Sequence, residues 1–224
     1  MANGNFVGMV CIDLQKAFDT VDFSILLSKL RAIGFSELAV NWFSSYLRSR
    51  SQCTEVDGEQ SSFLEVTCGV PQGSILGPQL FLIYVNDMYS CLNCRLSLYA
   101  DDSALFFAHR DPAVIANRLG IELANCKRWL IDNRLSLHMG KTESLLFGTS
   151  RKLKRVENFS LTCEGEPIKR VSTVKYLGVE LDENMSGEAH GKKLVSKCVG
   201  RISFLYLDKK NKGYFMLCTC SALY

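Results

Sequence analysis

The sequence predicts an α+β fold, and three observations predict it. Short β-rich runs recur, among them Val7–Ile12 and a strand–turn–strand pattern through Leu96, Leu98, Leu105, Phe106 and Phe107. Between such runs, apolar residues return at steps of three and four, as in Ile115, Leu119, Leu123, Cys126, Leu130 and Ile131, which gives a helix one core-facing side. The chain has 224 residues and 47% apolar content, enough to bury a sizeable core as one domain or as a domain with an appendage.

Charge is nearly balanced at +3, so the total alone names no partner. Ten cysteines would imply disulfides in a secreted protein. No charged-then-apolar leader opens the sequence and no apolar run is long enough to span a bilayer, so the cysteines read as reduced intracellular thiols. Cys91 and Cys94 form a C-x-x-C, but Cys218 and Cys220, the nearest second pair, have the wrong spacing for a zinc site.

In chain order, a strand over Phe6–Ile12 leads into Asp13. Asp22 can cap a helix through Ile25, Leu26, Leu27, Leu30 and Ile33, which Gly34 ends. Asp19 and Asp22 fit loop and capping roles better than metal ligation. Ser36-Glu37 starts a second helix through Leu38, Val40, Trp42, Phe43, Tyr46 and Leu47. Arg48 and Arg50 at its end read either as a solvated helix terminus or as phosphate contacts. A hairpin follows: Gln52–Val56, a turn at Asp57-Gly58, then Ser62–Thr67.

The Gly- and Pro-rich stretch Gly69–Gly77 opens a helix through Leu80, Phe81, Ile83, Tyr84 and Val85. It reads as a tight loop or as a backbone that a ligand approaches closely. After the strand–turn–strand, Asp111-Pro112 starts the long amphipathic helix, with Trp129 packed against its core side. Strands Leu135–His138 and Ser144–Phe147 then flank Met139–Thr142, with His138 structural. Arg151–Arg155 reads as a solvated basic loop. Phe159–Cys163 and Pro167–Val171 form a hairpin, and Val174–Leu181 a strand. From Ser186, Lys192, Lys193, Lys197 and Arg201 share a helix with Leu194, Val195, Val199, Ile202 and Leu205, and an apolar run over Tyr214–Leu217, Ala222 and Leu223 ends the sequence.

Three acids carry the chemistry. Asp101 and Asp102 sit inside an apolar strand–turn–strand, where an ionised group is costly without a partner. They are either solvated acids at a hairpin tip or oxygen ligands for a divalent cation. Asp13 ends another strand. Two strands that pair can set Asp13 beside Asp101, the layout of a two-metal site with ions roughly 3.5–4 Å apart.

Three blocks in series, Asp13–Asp22 (DLQKAFDTVD), Gly69–Pro78 (GVPQGSILGP) and Tyr99-Ala100-Asp101-Asp102, resemble reverse transcriptases, most closely those of non-LTR (LINE-type) retrotransposons. The likeness covers most of the chain. It implies a polymerase palm, an antiparallel sheet with helices packed on one face, over residues 1–183, and the start of a helical thumb over 184–224. Only a few residues precede the first aspartate strand, so the fingers are expected to be largely absent, the thumb cut, and no endonuclease-like segment included.

The resemblance implies template-directed DNA synthesis on RNA. Asp13 and Asp101 would be the main ligands of two Mg²⁺ ions, with Mn²⁺ able to substitute; Asp102 would be less central, because successive strand side chains point to opposite faces, unless the turn reorients it. One ion would lower the pKa of the primer 3′-hydroxyl and the other would hold the triphosphate. Lys141 would lie near the triphosphate, offsetting charge and donating a proton, unless it is an ordinary turn lysine. Leu14, Phe18, Gln72 and Gly73 would contact the nucleotide. Phe18 stands at the steric-gate position that favours deoxynucleotides, its other reading being a core aromatic. Tyr176, Leu177 and Gly178 would grip the primer. Arg48, Arg50, Lys192 and Lys193 would track the nucleic-acid backbone.

The implied partners are an RNA template, a DNA primer and deoxynucleoside triphosphates, with no membrane. A cytoplasmic or nuclear location follows only from how such elements are copied. Two other functions stand beside the polymerase. One is a truncated, inactive retrotransposon remnant with residual nucleic-acid binding. The other is a two-metal nucleotide cyclase, which the Gly69–Pro78 block disfavours.

Overall fold

A computed structural model describes residues 4–100, 102–156 and 158–208, with side chains to residue 202. Asp101 and the terminal apolar run from Tyr214 therefore lie outside the described residues. At the centre is β1 (Phe6–Ile12), which pairs antiparallel with β7 (Asp102–His109) on one side and with β8 (Glu143–Phe147) on the other. Outward from β7 lies β6 (Arg95–Tyr99); outward from β8 lie β10 (Glu166–Arg170) and β9 (Leu161–Cys163). The order β6-β7-β1-β8-β10-β9 is antiparallel except at the parallel β8·β10 contact.

Alternation along the strands separates two faces. Val10, Ile12, Leu105 and Leu146 point into the main core, which is closed by helices. Three of these helices are α1 (Phe23–Ala32), α3 (Leu76–Val85) and α4 (Pro112–Asp132). Ile115, Leu119, Leu123, Cys126 and Leu130 of α4 are fully buried against the sheet. Such side chains contribute about 1.5–3 kcal/mol each by leaving water. The helix seats so close to β1 that a Cβ at Gly8 would lie 2.3 Å from Ile115 Cγ2. Ile131, expected in the core, is 62% exposed instead. It follows Leu130 by about 100° of helix rotation, which carries it off the buried stripe.

Caps fall where the sequence puts them. The Asp22 carboxylate accepts from the Ser24 and Ile25 amides at 2.9 and 3.0 Å, and Ser36 Oγ caps α2 (Glu37–Leu47) through Ala39 N. Asp111 caps α4 through Ala113 N at 2.8 Å.

Several segments differ from expectation. The hairpin after α2 is broken into short pieces: β2 (Ser51–Gln52) pairs with β5 (Leu64–Glu65), and β3 (Glu55–Val56) with β4 (Glu59–Gln60) around Asp57-Gly58. The second arm thus starts before Ser62. Leu135–His138 is not a strand; one bridge, Leu137 to Leu14, is all it forms. The basic run 151–155 includes part of a one-turn helix, α5 (Ser150–Leu153), in place of a loop.

Val174–Leu181 is a hairpin and not one strand. β11 (Thr173–Tyr176) turns through Leu177 and Gly178, at φ 47° and 82°, into β12 (Val179–Asp182). Alternation across a two-residue turn mimics a continuous strand in sequence. The chain then enters α6 (Glu188–Asp208), whose Leu194, Val195, Val199 and Ile202 are exposed. No helix among the described residues is long and apolar enough to cross a membrane.

Candidate active site

The second face of the sheet carries the candidate site. Val7, Met9, Cys11, Ala104, Phe106, Leu145 and Phe147 lie on it, and the β11–β12 hairpin covers part of it through Val174, Tyr176 and Leu181. Tyr176 Oη hydrogen-bonds Ser97 Oγ on β6 at 2.8 Å, fixing the hairpin to the sheet.

The ladder between β1 and β7 sets the acids. Cys11 stands opposite Ala104 and Ile12 opposite Ser103. One more step of the same register sets Asp13 opposite Asp102, and directly opposed residues of an antiparallel pair share a face. Asp102 is exposed at the start of β7. The neighbouring Cys11 thiol reports the local charge: burial, then the carboxylates of Glu143 and Asp102, push its pKa up to about 12. Glu143 is opposite Cys11 on the β8 side and holds Lys169 at 2.7 Å. No local pattern singles out Glu143, because only the register brings it beside Cys11.

Asp13 is held by its backbone. Its carbonyl accepts from His138 N at 2.8 Å, and Gln15 N donates to Ser136 O at 2.9 Å. Its side chain stays 44% exposed. The same segment supplies Lys141. The His138 carbonyl accepts from Lys141 N and from Thr142 N and Oγ1, folding a tight turn over Met139–Lys141. That turn leaves Lys141 Nζ 3.9 Å from the Asp13 carboxylate. Asp13 and Lys141, distant in sequence, are therefore neighbours.

Oxygen donors at the end of a strand pair suit a hard divalent cation. The described set is two opposed carboxylates, with no group of three or more His, Cys, Asp or Glu residues placed to hold a metal among the described residues. The strand end adds a detail: Tyr99 pairs with Asp102, and Ala100, which follows Tyr99, has φ 54°. A positive φ is uncommon for a residue with a Cβ, and such strain gathers where a loop is held for a purpose.

A cleft of about 610 Å³ opens along the loop that follows Asp13, lined by Lys16, Asp19, Arg50, Glu65, Cys68 and Gln72 among others. Two stretches form its floor by pairing backbones: Val70 N donates to Phe18 O and Gly69 N to Val21 O, both at 2.8 Å. Gly69 has φ +86°, and a Cβ there would lie 2.7 Å from the Asp19 carbonyl oxygen. Its close approach is thus to the chain itself. Gln72 Nε2 donates to Asp19 Oδ1 at 2.7 Å, so Asp19 positions Gln72. Gly73 has φ +75° in an open loop.

The other candidates occupy mixed settings. Leu14 is buried, and Phe18 is half-buried with its ring centroid 4.6 Å from that of Phe81. Arg50 donates to the carbonyls of Gly69 (2.6 Å) and Leu47 (2.8 Å), so it braces the cleft wall. Arg48 is exposed at the C-cap of α2. Lys192 pairs with Glu188 at 2.6 Å and Lys193 with Glu180. Leu177 is exposed in the hairpin turn beside Gly178.

An antiparallel sheet with helices on one face and paired strand-end carboxylates on the other describes the palm class of nucleotidyl-transfer folds. The comparisons are specific. Residues 2–181 match the family model described as reverse transcriptase (RNA-dependent DNA polymerase), and the chain belongs to this family. A probable RNA-directed DNA polymerase from transposon BS of Drosophila melanogaster is 30% identical over 231 residues, covering 98% of this chain and 25% of that protein. The RNA-directed DNA polymerase from mobile element jockey of the same species is 27% identical, covering 85% of this chain and 21% of that protein.

The chain thus spans about a quarter or less of these two non-LTR relatives. Among solved structures, apo telomerase from Candida tropicalis, truncated from its C-terminal domain, matches with a TM-score of 0.54 at 12% identity, covering 79% of this chain and 34% of that one. That likeness concerns the fold.

Proposed function

We propose that this chain carries the nucleotidyl-transfer centre of a non-LTR retrotransposon reverse transcriptase, extending a DNA primer on an RNA template. One observation carries the reading: the β1·β7 register, extended one residue, opposes Asp13 and Asp102 on the face away from the helices. Asp13 and Asp102, with Asp101 by family resemblance, would hold the metal ions. Two bound Mg²⁺ ions, or Mn²⁺, would activate the primer 3′-hydroxyl and neutralise the triphosphate.

The chain's own residues do the positioning. Lys141, 3.9 Å from Asp13, brings an ammonium to where phosphate charge develops and can donate a proton to the leaving pyrophosphate. Gln72, oriented by Asp19, and the exposed backbone at Gly73 present donors to the nucleotide. Leu14 supports the loop after Asp13, and the Phe18 ring lies beneath the sugar, where a 2′-hydroxyl would clash. The Tyr176–Gly178 turn sits over the sheet face that bears Asp102 and holds the primer end. Arg48, Arg50 and the basic residues of α6, Lys192 and Lys193, follow the backbone; those of α6 first exchange their carboxylate partners for phosphates. Residues 1–183 act as palm and 184–224 begin the thumb.

Primer extension on poly-rA/oligo-dT with Mg²⁺ or Mn²⁺ tests this. Incorporation that disappears in Asp13→Asn and in Asp101→Asn is expected. No incorporation by the unaltered chain with either ion would instead fit an inactive remnant.

A further inference from the structure

The basic run 151–155 borders a cavity that the proposed reaction does not use. The cavity has a volume of about 570 Å³ and is lined by Phe6, Arg110, Asp111, Pro112, Lys152 and Arg155, among others. It lies at the far end of the central strand from the acids. Seven residue steps separate Phe6 from Asp13, about 23 Å of extended chain.

Its charges are unbalanced. Among the described lining residues, three cations face one carboxylate, and that carboxylate already caps α4 through Ala113 N. Lys152 is positioned by the Gly4 carbonyl and lies over the Phe6 ring, 5.5 Å from its centroid. Arg110 and Arg155 are exposed and form no ion pair among the described residues, and Glu157 lies outside those residues. The turn of α5 fixes Arg155 through its amide on Lys152 O at 3.0 Å. Arg151 and Lys154 extend the basic surface beyond the cavity rim.

Guanidinium groups match phosphate oxygens with paired hydrogen bonds. Two that form no ion pair among the described residues, an ammonium and a continuing basic surface call for a polyanion longer than a single nucleotide. We infer that this cavity is a second nucleic-acid site, in which Arg110, Lys152 and Arg155 bind the phosphodiester backbone of a strand remote from the catalytic acids. The inference rests on the nucleic-acid reading of the preceding section. The same backbone chemistry is offered by RNA and by DNA, so both enter the test.

The test measures fluorescence anisotropy of a 40-nucleotide RNA hairpin and a DNA hairpin of the same sequence, over a salt series. It compares the unaltered full chain, Arg110→Gln/Arg155→Gln, and Arg128→Gln on the exposed side of α4. Losing two phosphate contacts should lower the slope of log affinity against log salt by roughly 1.5 and weaken binding about tenfold at 0.15 M salt. Arg128→Gln should leave the slope unchanged, and thermal melts should coincide for all three.

A loss with RNA alone, with DNA alone or with both supports the site and names its strand. An unaltered slope in the double variant while the parent chain binds overturns the second site and leaves the polymerase reading standing. No binding of either hairpin by the parent overturns both.

Discussion

The two faces of strands β7, β1 and β8 share one backbone and differ in almost everything else. On the helix side, Val10, Leu105, Leu146 and the α4 residues Ile115, Leu119 and Leu123 have no solvent exposure. On the other side, a smaller cluster around Met9 and Leu145 gives way to Cys11, Glu143, Asp102 and Asp13. The first face buries enough apolar surface to hold the sheet rigid. The second leaves carboxylates in water at the end of rigid strands, which fixes them without the cost of burying their charge. Stability and the proposed chemistry thus fall on opposite faces of one sheet.

The sharpest way to break this comparison is Asp13→Asn. It should lower primer extension by about 10³-fold or more while leaving the thermal midpoint unchanged, because the side chain is half-exposed and its hold on the chain is through the backbone. Activity assays with parallel melts check both halves. Leu119→Ala on the opposite face should do the reverse: lose about 2–5 kcal/mol of unfolding free energy in denaturant titrations, with the ladder that opposes the acids intact in whatever fraction stays folded.

A smaller effect is expected at Asp182, which ties down the turn leading from β12 to α6. Its carboxylate accepts from Asn184 N, Ser186 N and Oγ, and Gly187 N at 2.9–3.1 Å. The Ser186 amide leads in holding its pKa below the usual carboxylate range. Its contribution is therefore present above pH 4 and lost as pH falls through the lowered native value. Asp182→Ala should cost about 1–3 kcal/mol at pH 7 and flatten the acid limb of a stability–pH curve. The smallest effect is chemical: with the Cys11 thiol near pKa 12, iodoacetamide at pH 8 should label exposed Cys68 and Cys198 well before Cys11, and the gap should narrow as pH rises.

Legibility in the sequence followed the same division. Period and caps exposed the helix side, since Ile115 to Leu130 repeat at helical spacing and Asp22, Ser36 and Asp111 stand where caps are needed. β1 was legible to its last residue. Register was not, because pairing between strands 90 residues or more apart leaves no local mark, and Glu143 takes its place beside Cys11 from register alone. The turn at Leu177-Gly178 was hidden for a related reason: its flanks alternate like a single strand. The Gly69 loop was legible as constrained, but its contact with the Asp19 backbone depends on two distant segments meeting.

Mn²⁺ titration of the ¹⁵N-labelled chain, followed by paramagnetic broadening of amide signals, tests most directly whether two strand ends converge on one cation. The account predicts that signals from residues 11–14 and 102–104 broaden together at the same low Mn²⁺ concentration, and that Asp13→Asn abolishes the broadening in both segments. Broadening confined to one segment, or unchanged by Asp13→Asn, would contradict it.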